Sequence, residues 1–139
     1  MLAPITISTS AWEIAAQKRR NELVQKNGTG TDLALQKQLL KMRDDDQAAR
    51  GFTHGQHTSD MTKELLGKLP ATDQRLTQEL KQIVKEKGWP TIPLVGIEAS
   101  NGAMLILTHS ADHAWQRALI PQLEQLAATS NPSLVSAEP

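Results

Sequence analysis

Cysteine is absent from this chain, and so is tyrosine; phenylalanine occurs once, as Phe52, and tryptophan three times, as Trp12, Trp89 and Trp115. Without a thiol there can be no disulfide, no cysteine-ligated zinc and no thiol nucleophile. A reducing compartment is compatible with that composition, and the expected location is the cytoplasm. With so few aromatics, the core must be built from Leu, Ile, Val, Ala and Met. Trp12 and Trp115 stand among apolar helix positions and are expected to join it. An excess of charge is also lacking: 15 basic residues balance 15 acidic ones. The densest basic stretch, Lys18-Arg19-Arg20, is too short to track a nucleic acid and reads as a solvated helix face. Long apolar runs are missing as well. The longest covers residues 103–107, far below the roughly 20 residues that a membrane span requires. No basic n-region leads into an apolar h-region at the N-terminus, so no signal peptide is expected. GxSxG, Walker A and Rossmann glycine patterns do not occur, and no cofactor is expected.

What is present is helical periodicity. A chain of 139 residues suits a single domain that buries enough surface to need no staple. Ser10 and Glu13 read as a capping box for a helix reaching about Lys26, ended by Asn27-Gly28. A second helix begins near Thr31 or Asp32, carries Leu35, Leu39 and Met42 at helical spacing, and stops by Gly51. Residues 51–58 read as a loop in which His54 and His57 are solvated. Ser59 caps a short helix through Leu69. Thr72 or Asp73 opens another, with Leu76, Leu80, Ile83 and Val84 on one face, stopped by Gly88 and Pro90. Residues 91–98 read as extended, with room for one short strand. Ser100-Asn101 caps a helix from about Ala103, and a last helix runs from about Asp112 to Ala128, bent at Pro121. The expected fold is mainly α: a compact bundle of roughly five to six helices over residues 1–129, with residues 130–139 as a disordered tail.

Two stripes carry polar residues where apolar ones belong. At 100° per residue, Asp46 lies within about 40° of Leu35, Leu39 and Met42, so it points inward, while Asp44 and Asp45 point away. An inward carboxylate needs a cation or several donors, and Arg43 and Arg50 are within reach along the helix, with Gln47 beside them. If residues 105–123 form a continuous helix, then Leu105, His109, Asp112, Gln116, Leu119 and Leu123 share a second stripe, with His113 one turn beyond His109.

Three readings of these stripes differ in chemistry. In the leading one they line a pocket of a cofactor-independent acid–base enzyme. It would carry out hydrolysis, elimination, isomerisation or cyclisation on a small molecule with a polar or anionic group. His109 transfers the proton, Asp46 and Asp112 orient it or share the proton, and Arg43 and Arg50 hold an anionic group. In the second reading the same residues form a buried network in a non-catalytic binding or interaction module. In the third, His109, His113 and Asp46 hold a metal ion, although the HxxxH spacing lacks the glutamate of HExxH. Trp89, between a helix stop and a proline, reads first as a lid over a helix end. A homodimer is left open, since no charge or heptad pattern specifies one.

The same residues carry a resemblance. Met42-Arg43, Asp46-Gln47 and Arg50 fit MRxxDQxxR. Asp73, followed by Gly88-Trp89-Pro90-Thr91 and Val95-Gly96, fits an Asp with a GWPtxxxVG segment. His109 and Gln116 fit two positions of QHADxxxFQ, with Thr108 and Ala111 in place of its Gln and Asp. The chain thus resembles, over residues 40–125, a family of small, mainly bacterial proteins of unassigned function. The family tends to have another residue at His113. Its segment ending near QxYGTQ does not occur in these residues, which implies a more open or repurposed site. The resemblance adds Asp73 and Trp89 to Arg43, Gln47, Arg50 and Gln116 as substrate-binding candidates and implies no activity.

Overall fold

A computed structural model describes residues 3–53, 56–57 and 60–130. The described part is mainly α, as expected: α1 (Ala3–Asn27), α2 (Leu33–Ala49), α3 (Lys63–Lys87), α4 (Ile92–Val95), α5 (Ile97–His109) and α6 (His113–Ser130). A minute antiparallel hairpin follows α2. Its strands β1 (Phe52–Thr53) and β2 (Gln56–His57) pair Phe52 with His57 and Thr53 with Gln56. This replaces the simple loop expected there, and exposed His57 meets Phe52 edge to face. His54, Ser59 and residues 131–139 of the expected tail lie outside the described residues, whereas Ser130, its first residue, ends α6. Among the described residues no helix is long and apolar enough to cross a membrane.

The core forms where α2, α3 and α5 meet. Leu35, Leu39 and Met42 of α2 interleave with Leu76, Leu80 and Ile83 of α3 and with Ala99, Ala103, Ile106 and Leu107 of α5. Each fully buried leucine contributes about 1.5–3 kcal/mol relative to an exposed one. Small residues bring α5 close to α2: a Cβ on Gly102 would stand 3.1 Å from the Arg43 Cβ. Asp32 caps α2, accepting the Leu35 N–H at 3.0 Å. Gln36 ties α2 to the α4–α5 corner by donating to Thr29 O at 2.8 Å and Val95 O at 2.9 Å. Gly96 makes that corner with φ 85°, and a Cβ there would meet Thr29 O at 2.7 Å.

Four expectations change. Ser10 lies inside α1, which starts at Ala3, so Ser10-Glu13 is not its cap. Trp12 is 76% exposed and stands in an exposed run over residues 11–19, while α1 meets the bundle in its later turns: Leu23 and Val24 are half-buried, and Arg20 pairs with Glu98 of α5. The two helices expected over residues 59–87 are one, capped by Thr62 and passing through Pro70. Pro70 removes a backbone bond and crowds the Leu66 carbonyl, but both residues are exposed, where water can serve that carbonyl. The buried stripe beyond them holds the helix. Residues 91–98 are not a strand: α4 and the start of α5 occupy them, so α5 begins six residues before Ala103.

Candidate functional site

The inward turn of Asp46 is confirmed. Its side chain is 1% exposed, and three donors converge on its carboxylate. Gln47 Nε2 donates to Oδ2 at 3.0 Å and Arg50 donates to Oδ1 at 3.0 Å. His109 Nδ1, from the last residue of α5, stands 2.9 Å from Oδ1 and 3.1 Å from Oδ2. Asp73 of α3 completes the group, taking both ends of the Arg50 guanidinium at 3.0 and 2.8 Å. Three helices therefore meet in one chain of charge-assisted bonds: Asp73, Arg50, Asp46, His109. An ionised carboxylate only accepts, so the contact places the proton on His109 Nδ1 and leaves the lone pair of the neutral ring on Nε2. Nε2 has no hydrogen-bond partner among the described residues. No unpartnered side-chain nitrogen or oxygen is buried among them, so Nε2 is the atom that reaches solvent; the side chain as a whole is 26% exposed.

Other candidates stand elsewhere. The continuous stripe over residues 105–123 does not form, because the chain breaks at Ser110–Asp112. Ser110 is extended, its Oγ accepts the Asp112 N–H at 3.1 Å, and Asp112 Oδ1 accepts the Trp115 N–H at 3.0 Å to start α6. Asp112 is thus a helix cap rather than a partner of His109, and its Oδ2 takes Lys81. That ammonium first, and then the Trp115 N–H, hold its carboxyl below the ordinary value of 3.8. Asp32 is likewise lowered, chiefly by Lys87. Gln116 donates to Leu107 O at 2.8 Å and Ser110 O at 3.0 Å, closing the carbonyl end of the helix that carries His109. Arg43 pairs with Asp44 and Glu98 instead of Asp46. Trp89 is core, 7% exposed. Half-buried Trp115 packs against the core beneath the Lys81 ammonium.

The break also separates the two histidines that would have shared a metal. His109 ends α5, whereas His113 opens α6 and bonds Gln116 Oε1 at 2.8 Å. Among the described residues no group of three His, Asp or Glu side chains is placed to hold an ion.

Two grooves flank the cluster. One, of about 570 Å³, is lined in part by Arg43, Gln47, Phe52 and Leu105. The other, of about 590 Å³, lies between the first half of α3 and the α5–α6 joint, and Asp73 and Ser110 line it. Sequence reasoning missed Thr77, Ser110 and Lys81. Thr77 Oγ1 and Ser110 Oγ are buried and 2.9 Å apart, joining α3 to the end of α5. The clue to Thr77 was its spacing, three and seven residues before Leu80 and Val84 on the apolar stripe. Asp73, four residues before Thr77, lies on the same line.

Residues 33–131 match a protein family of unknown function, DUF6624. The chain belongs to that family. The DUF6624 match opens at the first residue of α2 and takes in every residue of the Asp73–Arg50–Asp46–His109 chain, leaving α1 outside. No curated protein and no solved structure matches the sequence.

Proposed function

We propose that this protein is a cofactor-independent acid–base catalyst acting on a small polar molecule, with His109 as the proton-transferring residue. The observation that carries the reading is the Asp46–His109 contact, which orients the ring with Nε2 toward solvent. Nε2 takes a proton from a substrate or from an attacking water. The Nδ1–H stays on the ring and keeps donating to Asp46, whose charge offsets the imidazolium that forms, and Nε2 then returns the proton to the departing group. Asp46 is held by Gln47 and Arg50, and Arg50 is held in turn by Asp73, so these three are positioning residues.

A panel of small esters, lactones, amides and enolisable carbonyl compounds, assayed with the wild type and His109→Ala, tests the reading. Loss of the histidine should lower turnover by about 10²–10⁴-fold with a melting temperature within a few degrees of the wild type. Turnover that survives the substitution would remove His109 from the chemistry.

The second reading, a polar network that only fixes the packing of α2, α3 and α5, has its own support. Each side chain in the cluster is bonded, and a saturated buried network can serve specificity alone. A collapse of folding in His109→Ala, with no turnover by the wild type, would favour it. The protein would then be a binding or interaction module.

A further inference from the structure

Three of the long helices end in the same way. α1, α2 and α3 each run into a glycine of positive φ: Gly28 at 80°, Gly51 at 87° and Gly88 at 80°. Such a residue turns the chain and lets backbone N–H groups cap the last carbonyls. α5 has no glycine at its end. Ser110 is extended, with φ −67° and ψ 139°, and its N–H reaches Leu107 O at 3.2 Å. The end of α5 therefore relies on side chains for its remaining caps, and it is the end that carries His109.

Those side chains come from two other helices. Gln116, in the first turn of α6, commits both amide hydrogens to this end, donating to Leu107 O at 2.8 Å and Ser110 O at 3.0 Å. Leu107 and Ser110 bracket His109 in the chain. Thr77 of α3 adds a bond to Ser110 Oγ at 2.9 Å. The remaining polar atom of the Gln116 side chain, Oε1, meets His113 Nδ1 at 2.8 Å. With the amide nitrogen on two carbonyls, that contact requires His113 to donate, and it fixes which way the amide faces.

We infer that Gln116 is a positioning residue for His109. Its two bonds set the backbone from which the ring reaches Asp46. Without them the last turn of α5 frays, and the Nδ1–Asp46 contact loosens. The effect on the ring stands on that contact alone, whereas an effect on turnover rests on the proposed acid–base role.

The test compares two substitutions in the full chain. Gln116→Glu keeps the shape of the side chain and removes both donors. Leu119→Ala loosens α6 from the core, where Leu119 is 7% exposed, and leaves the bonds to the α5 carbonyls in place. Nitrogen-15 resonance of the neutral His109 ring reads the ratio of its Nε2–H to its Nδ1–H form. Gln116→Glu should raise that ratio about fivefold, the factor that one ordinary hydrogen bond represents. Leu119→Ala should lower the melting temperature and leave the ratio at the wild-type value. Gln116→Asn, one methylene too short to reach both carbonyls, should fall between the wild type and Gln116→Glu, and it carries the test if Gln116→Glu does not fold. For any compound that the wild type turns over, Gln116→Glu should lower kcat with KM unchanged. A moved ratio with no turnover by the wild type would remove the catalytic reading and uphold the effect of Gln116 on the ring. The inference is overturned if the Gln116 variants keep the wild-type ratio, or if Leu119→Ala moves it as far.

Discussion

Replacing Asp46 with Asn keeps the shape of the side chain and removes its charge, which makes it the sharpest test of the buried cluster. The carboxylate is 1% exposed and accepts from Arg50, Gln47 and His109. An amide offers one oxygen to those donors and turns its own N–H groups toward the rest. Removing one partner of a buried ion pair costs about 3–5 kcal/mol. Here the loss is reduced, because Arg50 keeps Asp73 and is itself 20% exposed, so water and the second carboxylate take up part of its charge. The expected destabilisation is about 2–4 kcal/mol, or a fall in melting temperature of about 7–14 °C for a domain of this size. Urea unfolding followed by tryptophan fluorescence reads it directly, since Trp89 is buried and Trp115 packs on the core. A loss below about 1 kcal/mol would mean that the carboxylate is not the hub that ties α2, α3 and α5 together.

Three further outcomes follow from the same structure. Leu39→Ala, at a position with no exposure, should cost about 2–5 kcal/mol, whereas Trp12→Ala, on the open side of α1, should stay within about 0.5 kcal/mol; chemical denaturation distinguishes the two. Gly96→Ala should destabilise by at least about 2 kcal/mol, because φ is positive and the added Cβ would meet Thr29 O at 2.7 Å; a melting temperature equal to the wild type would refute the account of the corner. Asp112 has a lowered folded pKa, so its contribution is complete above the ordinary carboxylate value of 3.8 and disappears as pH falls through the folded value. Thermal melts over that acid range should show a loss that Asp112→Asn removes.

Much of the cluster was legible from spacing alone. The 3.6-residue period puts Asp46 on the line of Leu35, Leu39 and Met42, and that line is buried. Arg50, one turn later, could be named as its cation for the same reason. His109 was also identified, but by way of a continuous helix that does not exist. It reaches Asp46 because α5 ends there, and the Ser110–Asp112 turn carries the chain away. The Ser and Asp of that turn are ordinary capping residues, yet a local rule cannot decide between capping a new helix and interrupting an old one. The capping residues around 59–73 misled in the other direction. Ser59 and Thr72 or Asp73 read as the starts of two helices, whereas one helix capped by Thr62 runs through Pro70 onto the buried stripe of Leu76, Leu80 and Ile83. Arg43 and Trp12 failed for a tertiary reason: nothing in the period tells which acid a surface arginine will meet, or that residues 11–19 of α1 stay exposed.

The central claim is that Asp46 fixes His109 with its proton on Nδ1 and a free lone pair on Nε2. Nitrogen-15 resonance of the histidine ring, assigned by comparison with His109→Gln, reads the tautomer directly. The account predicts an Nδ1–H form for the neutral ring of His109, and reversion toward the Nε2–H form that dominates in water when Asp46 is replaced by Asn. A wild-type ring that already carries its proton on Nε2 would contradict the account, since that nitrogen could then take no proton from a substrate.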